Sequence, residues 1–309
     1  MKILVAGAGA VGGYLAARML ETGADVTLLV RENRRKRLEE TGLCVRSPLG
    51  DYTGRPRLIT AGEEAGPFDL VVIAMKAYGL EGALRDLRPY VGEQTALLPF
   101  LNGIRHMEQI AAAFPGRPLL GGVARIESTL DESGRVLHLG SYHSFSFGRF
   151  GAMSDERYGA LRTELSRIPI LREHPDIVRD LWEKYLFISV FSGLTTLFDA
   201  TVGEIRDVPD GNGIVWFERL FAEVSEAIAR AGGRLGEGAA GKMLQTIAGM
   251  SPGSSASMHR DLKQGLPTEA HHIQGYLLEL ARRHGVQTPL LETVYQRLVI
   301  YENNRPKSP

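Results

Sequence analysis

Apolar residues in the first 150 positions come in short unbroken runs, separated by stretches with a helical repeat. KILVAGA (2–8), ADVTLLVR (24–31), FDLVVIAMK (68–76) and TALLPFLNG (95–103) are apolar without alternation. Strands covered on both faces read this way. GGYLAARMLETG (12–23) and LEGALRDLRPYV (80–91) lie between them with apolar positions at three- and four-residue spacing, which predicts helices. Strand, helix and strand in this succession imply right-handed crossovers and a parallel sheet with helices on both faces. PLLGGVARIE (118–127) and the more alternating RVLHLGSYHSFSFGRF (135–150) predict later strands closing the domain. MSDERYGALRTELSRI (153–168) predicts one further helix.

Beyond about residue 175 the strand signature stops. The stretches 177–198, 212–233, 269–285 and 289–304 all carry apolar residues at helical spacing, with SPGSSASM (251–258) as the most loop-like insert. The expected architecture is therefore an α/β N-terminal domain with a mostly parallel, doubly wound sheet of Rossmann type, residues 1–175. An all-α C-terminal domain, residues 176–309, follows. The final NNRPKSP reads as a frayed tail.

Composition narrows the function. Thirty-six basic and thirty-six acidic residues cancel, which argues against nucleic acid or an anionic membrane as the main partner. Cys44 is the one cysteine; it cannot close an internal disulfide, and a reducing, cytoplasmic compartment is expected. It reads better as a small buried hydrophobe than as a nucleophile. The start of the chain superficially resembles a secretory signal, but its four glycines weaken an apolar helix and it runs straight into a second strand. No stretch reaches the roughly 18 apolar residues a membrane helix needs.

Gly7, Gly9 and Gly12 form G-x-G-x-x-G between a buried strand and a helix, the context in which this motif cradles a dinucleotide. The first glycine permits the tight turn, the second admits the pyrophosphate, and the third lets helix and strand pack closely. The N–H groups of the helix start, around Ala10 and Val11, would then face the phosphates. Nineteen residues after Gly12 stands Arg31, where an NAD-selective site carries a carboxylate. A guanidinium binds a 2′-phosphate bidentately, so NADP(H) is the expected cofactor. Lys76, at the end of another strand, could add a second charge, and Arg34 and Arg35 read mainly as a solvated helix start.

In DLWEKYLFISVFSGLTTLF (180–198) the lysine at 184 borders a charge-free run. A cation entering a buried helix is costly unless it is paired or used. With a nicotinamide domain upstream, the use that fits is carbonyl reduction, where Lys184 would give a proton to the developing alkoxide. The competing reading is a snorkelling lysine or an ion pair with Glu183. His271 and His272 point to different helix faces and lack a third ligand nearby, so no metal is expected. Trp182, Phe187, Phe191 and Phe198 read as core.

Nearly end to end, the chain resembles the ketopantoate reductase family (2-dehydropantoate 2-reductases), NADP-dependent enzymes of pantothenate synthesis. The matching pieces, in order, are MKILVAGAGAVGG, Arg31, AMKA around Lys76, and LNG at 101–103. LWEK with Lys184, VGEI at 202–205, SSASM with Ser257, Asp261, and PTE with Glu269 follow. The resemblance implies NADPH-dependent reduction of a small 2-oxo acid, with ketopantoate the default. It implies Lys184 as general acid and Glu269 beside the cofactor ribose and the reacting centre. Asn102, Ser257 and Ser192 would be substrate contacts, with Asn102 also near the nicotinamide. Glu269 could equally be a first-turn glutamate behind an N-cap at Thr268.

Departures from the family pattern bear on the substrate. Asparagines that the family tends to carry one and two turns past the lysine, and before the GE pair, are Ile188, Ser192 and Val202 here. Ile and Val cannot donate a hydrogen bond, which points to a more apolar 2-oxo acid as the alternative substrate. A non-catalytic NADP sensor is the other alternative, disfavoured because Lys184 and Glu269 are both retained. An apolar face on the helical half could support a homodimer.

Overall fold

The computed structural model describes residues 1–209 and 211–305; most of the expected frayed tail lies outside them. The chain divides into two compact units, residues 1–101 with 106–178 and residues 102–105 with 179–309.

The first unit opens with β1 (Lys2–Ala6), α1 (Ala10–Glu21), β2 (Asp25–Leu29) and α2 (Glu32–Thr41). The short strands β3 (Leu43–Arg46), β4 (Tyr52–Gly54) and β5 (Arg57–Ile59) come next, then β6 (Leu70–Ile73), α3 (Leu80–Asp86) and β7 (Ala96–Pro99). It ends with α4 (Arg105–Ala113), β8 (Leu120–Leu130), β9 (Val136–Arg149), α5 (Asp155–Leu165) and β10 (Leu171–Glu173). One five-stranded sheet runs β5-β2-β1-β6-β7, parallel throughout, with Ile3 level with Val26 on one side and with Leu70 on the other. All but the first residue of β1 and β2, and every residue of β6 and β7, is buried. That is why their sequences show no alternation. Because the chain winds outward in both directions from β1, the carboxyl ends of β1 and β6 form the switch point at which such sheets bind ligands.

The later strands do not extend this sheet. β8 and β9 pair antiparallel with each other and belong to a second sheet, β10-β9-β3-β4. The alternation in β9 reflects this half-covered position. α1 lies against this second sheet, where a Cβ built on Gly13 would sit 3.0 Å from Val136. Tyr14 stacks on Phe145 at 6.3 Å. Cys44, in β3, is only half-buried and donates to the Thr41 carbonyl at 3.3 Å.

The second unit is helical: α6 (Ile177–Leu197), α7 (Val202–Arg206), α8 (Ile214–Arg230), α9 (Ala239–Gly249), α10 (Ser257–Lys263), α11 (Tyr276–Arg283) and α12 (Pro289–Asn304). A π-helical turn, His271–Gly275, leads into α11. Leu181, Tyr185, Leu186, Val190 and Leu194 of α6 are buried. The aromatic series expected as core falls on the outer flank instead. Trp182, Phe187 and Phe191 are half-buried, and Phe198 is 41% exposed, meeting Trp216 edge-on at 5.5 Å. No helix among the described residues is long and apolar enough to cross a membrane.

Candidate active site

In the first unit, β1 ends at Ala6 and the chain turns through Gly7 at φ +101°, a conformation that favours glycine. A Cβ on Gly7 would stand 2.5 Å from the Ala74 carbonyl oxygen, and one on Gly12 would collide with the Gly7 carbonyl. Gly9, the N-cap of α1, differs: a Cβ there meets nothing within 4 Å. Two glycines are thus required by the protein's own packing, and the third faces open space. Beside that space lie the first N–H groups of α1, which have no intrahelical partner. Helix N-termini of this kind are general anion-binding features.

Arg31 is exposed at the N-cap of α2, directly beyond β2. Its guanidinium reaches toward the turn after β6, where a Cβ on Gly79 would be 3.7 Å away. Lys76 caps that same turn and is half-buried. Arg31 and Lys76 therefore flank the carboxyl edge of the sheet on the side of the glycine turn. Arg34 is engaged otherwise: Nε donates to the Ala8 carbonyl at 3.0 Å and Nη1 to that of Gly134 at 2.8 Å. Burial lowers its pKa, with Arg37 adding to the effect. Its visible work is to hold the glycine turn from behind. Arg35 pairs with Glu39 at 2.8 Å and with Glu63.

In the second unit, two of the nominated side chains, Asn102 and Glu269, meet at one turn. Asn102, half-buried, directs its amide to Glu269 Oε2 at 3.4 Å. Gly103, at φ +80°, has no room for a side chain, because a Cβ would touch the His272 ring at 3.0 Å. Glu269 itself is only 5% exposed, and its carbonyl accepts from the N–H groups of His272 and Ile273, starting the π-helical turn. π-Turns of this kind recur at functional sites. Burial keeps the His272 imidazole below its usual pKa, against the opposing pull of Glu269. Tyr185, the residue after Lys184, is fully buried and donates to the Ile273 carbonyl at 2.6 Å. The lysine helix is thereby pinned to the turn that Glu269 opens. Lys184 is half-buried on α6, on one helical stripe with Ile188 and Ser192.

Glu183 Oε1 accepts the Gly236 N–H at 3.0 Å and lies 3.9 Å from Arg179 Nε. Thr268 does not cap the helix with its side chain. Its hydroxyl and N–H both donate to Glu302 Oε1, at 2.7 and 2.6 Å.

Burial alone would raise the Glu302 pKa, but the bonds from Thr268 and Arg305 outweigh it and the net shift is downward. A depressed folded pKa contributes stability above the unfolded value, about 4.3, and that contribution disappears as pH falls through the folded one. Glu302→Gln is expected to flatten the acid limb of a melting-temperature-against-pH curve while lowering stability at neutral pH. Parallel curves for both proteins below about pH 5 would show that Glu302 contributes nothing there.

The departures from the family's asparagines are not equivalent in space. Val202 has no exposed surface and packs at the start of α7. Ser192 is buried, and its hydroxyl takes the Gln274 amide at 2.9 Å. Ile188 alone of the three keeps partial exposure. Gln274, fully buried, was not foreseen from the sequence; it also donates to the Ser189 carbonyl at 3.2 Å. Ser257 is exposed at the first position of α10. His271 bonds Tyr295 at 2.7 Å, away from His272. Among the described residues no group of three or more His, Cys, Asp or Glu is placed to hold a metal ion.

Comparison with known proteins agrees on one family. The family model "Ketopantoate reductase PanE/ApbA" matches residues 3–152, and its C-terminal counterpart matches 176–302. A Bacillus subtilis protein named "Uncharacterized oxidoreductase YkpB" is 40% identical, over 98% of this chain and 99% of its own. The 2-dehydropantoate 2-reductase of Halobacterium salinarum is 26% identical, over 95% and 96%. Among solved structures, the 2-dehydropantoate 2-reductase of Geobacter metallireducens is 29% identical with a TM-score of 0.86, covering 97% of this chain and 99% of that one. D-mandelate dehydrogenase with NADH and anilino(oxo)acetate shares the fold at 21% identity and a TM-score of 0.85, over 98% and 99%. The chain belongs to the ketopantoate reductase family, oxidoreductases that act on a CH–OH/C=O pair with a nicotinamide cofactor.

Proposed function

We propose that this protein reduces a 2-oxo acid to the 2-hydroxy acid with NADPH, residues 1–175 binding the dinucleotide and 176–309 the substrate. The observation that supports the reading is the turn at Glu269, where the Asn102 amide meets the carboxylate and where Tyr185, the residue after Lys184, bonds the Ile273 carbonyl. Bound NADPH supplies the hydride to the carbonyl carbon. Lys184 gives a proton to the carbonyl oxygen and is reprotonated from water, so the products are the 2-hydroxy acid and NADP+. Glu269, held by Asn102, orients the ammonium and takes a ribose hydroxyl. Ser257 donates to the substrate carboxylate. Ser192 accepts the Gln274 amide on its hydroxyl oxygen, a bond that does not use its O–H proton, so the hydroxyl retains a donor for the substrate. Gly7, Gly9 and Gly12, with the N–H groups of Ala10 and Val11, hold the pyrophosphate, while Arg31 and Lys76 hold the 2′-phosphate.

Ketopantoate is the default substrate, in a cytoplasmic pathway to pantothenate. A second reading, a 2-oxo acid with an apolar tail, is favoured by Ile188, the half-exposed position that cannot donate to a hydroxyl. Following NADPH oxidation with ketopantoate and a panel of branched and aryl 2-oxo acids separates the two. Saturable turnover confined to ketopantoate supports the first, and a kcat/KM at least tenfold higher for an apolar acid the second. No oxidation with any of them removes the proposal. A homodimer is the expected assembly, as in the dimeric ketopantoate reductase of Staphylococcus aureus.

Arg31→Ala tests the cofactor choice. Charge-assisted bonds to a phosphate contribute about 1.5–3 kcal/mol each, so the Kd for NADPH should rise about 10–100-fold with that for NADH nearly unchanged. Fluorescence titration of both cofactors gives the comparison; equal losses would remove Arg31 from the 2′-phosphate.

A further inference from the structure

A chain of part-buried hydrogen bonds centred on a buried histidine runs behind Ser257. His259, two residues further along α10 and 5% exposed, takes Ser255 Oγ on Nδ1 at 2.6 Å and Asp199 Oδ1 on Nε2 at 2.8 Å. Asp199 ends the corner after α6 at φ 51°, the one non-glycine residue with positive φ among those described, and it also accepts from Lys263 at 3.2 Å. Such a backbone conformation persists where its surroundings fix it. The loop 251–256 is held from its other side as well. The N–H groups of Val202 and Gly203 donate to the carbonyls of Ser254 and Pro252, at 2.9 and 2.8 Å. A Cβ on Gly203 would stand 2.5 Å from Pro252. Arg260 closes the frame by donating to the Ser255 carbonyl at 2.7 Å.

We propose that His259 is a positioning residue for the substrate: by bridging Ser255 to Asp199 it sets the placement at which α10 presents Ser257. This rests on the reading of Ser257 as the carboxylate contact. With Nε2 protonated, His259 donates to Asp199 and accepts the Ser255 hydroxyl, so both ring nitrogens are used and the imidazole cannot rotate. A small angular error at the start of α10 moves the Ser257 hydroxyl, and a misplaced donor weakens binding of the acid more than the hydride step.

The test separates binding from chemistry. His259→Leu, which removes both bonds, should raise the KM for the 2-oxo acid about tenfold, with kcat and the KM for NADPH within about twofold. His259→Gln places an amide nitrogen near the position of Nε2, keeps the Asp199 bond, and should recover most of the loss. Ser255→Ala removes the loop end of the bridge without disturbing the buried ring, so it should raise the same KM even if His259→Leu fails to fold. In a Ser257→Ala background, His259→Leu should add little, because the two changes remove the same interaction. If Ser257→Ala raises the KM while His259→Leu and Ser255→Ala leave it unchanged, the positioning role is overturned and the Ser257 reading stands. If Ser257→Ala has no effect, the Ser257 reading fails and this proposal with it. Equal falls in kcat for every variant, with no separation from KM, would mean a structural role only.

Discussion

Lys184→Ala is expected to lower kcat for 2-oxo acid reduction by about 10²–10⁴-fold, the usual contribution of a positioned general acid, while NADPH binds as before. The argument starts from the helix. Alanine is the best helix former and Lys184 is only half-buried, so α6 should survive the change. The Tyr185–Ile273 bond and the burial of Leu181, Leu186 and Val190 hold it independently of the lysine. What the variant loses is an ammonium able to give up a proton as negative charge grows on the ketone oxygen. Lys184→Arg sharpens the test, because a guanidinium keeps the charge but retains its proton under all working conditions. Both variants should be nearly inactive if proton donation matters. Recovery by arginine would mean that charge alone suffices, and full turnover by alanine would place the acid elsewhere. Fluorescence titration with NADPH alongside single-turnover kinetics gives both quantities.

How much of this was legible in the sequence follows from the range of the forces involved. β1, β2, β6 and β7 showed because each is covered on both faces and must be apolar throughout. The glycine turn showed because two of its requirements, the positive φ of Gly7 and the close approach of Gly12 to the Gly7 carbonyl, lie within six residues, although the approach of Gly7 to Ala74 does not. β3, β4 and β5 did not show, since three or four residues carry no measurable period. Assignment of β8 and β9 to a second sheet depends on pairing partners far away in sequence, which periodicity does not encode. The aromatic series on α6 misled for a related reason. A helix apolar on every side cannot say which side is inner, and the inner face went to Leu181, Tyr185, Leu186, Val190 and Leu194.

Site residues divide in the same way. Asn102 and Glu269 stand 167 positions apart, and only the family resemblance nominated them together. The substitution of Ser192 for a family asparagine was visible, but its partner was not. Gln274 takes up that hydroxyl from 82 residues away, so the position serves the interior of the helical unit. The His259 bridge left a faint trace. Ala256, His259 and Leu262 recur at three-residue spacing on a buried stripe, and a polar member of such a stripe needs a partner. Nothing in the sequence named Asp199 as that partner.

Gly12→Ala and Gly9→Ala should part company, although both alter the same motif. A methyl group on Gly12 collides with the Gly7 carbonyl and comes within 3.1 Å of Ala74. Both are backbone or buried neighbours in the tightly packed turn between β1 and β6, where nothing flexible can yield. Relief requires α1 to move away from the sheet, at a cost of about 1–3 kcal/mol, the usual range for overpacking. The unliganded protein should therefore melt several degrees lower. Gly9→Ala meets nothing within 4 Å, and an N-cap alanine in place of glycine costs only on the order of 1 kcal/mol, so its melting temperature should stay close to the parent's. The cofactor reverses the contrast. If the open side of Gly9 is where the pyrophosphate lies against the first N–H groups of α1, the added methyl group occupies ligand space and NADPH should bind at least tenfold more weakly. Thermal melts with and without NADPH read both effects in one experiment: Gly12→Ala starts low, and Gly9→Ala starts normally but gains little on addition of cofactor. A Gly9→Ala protein stabilised by NADPH as strongly as its parent would place the phosphates away from this turn.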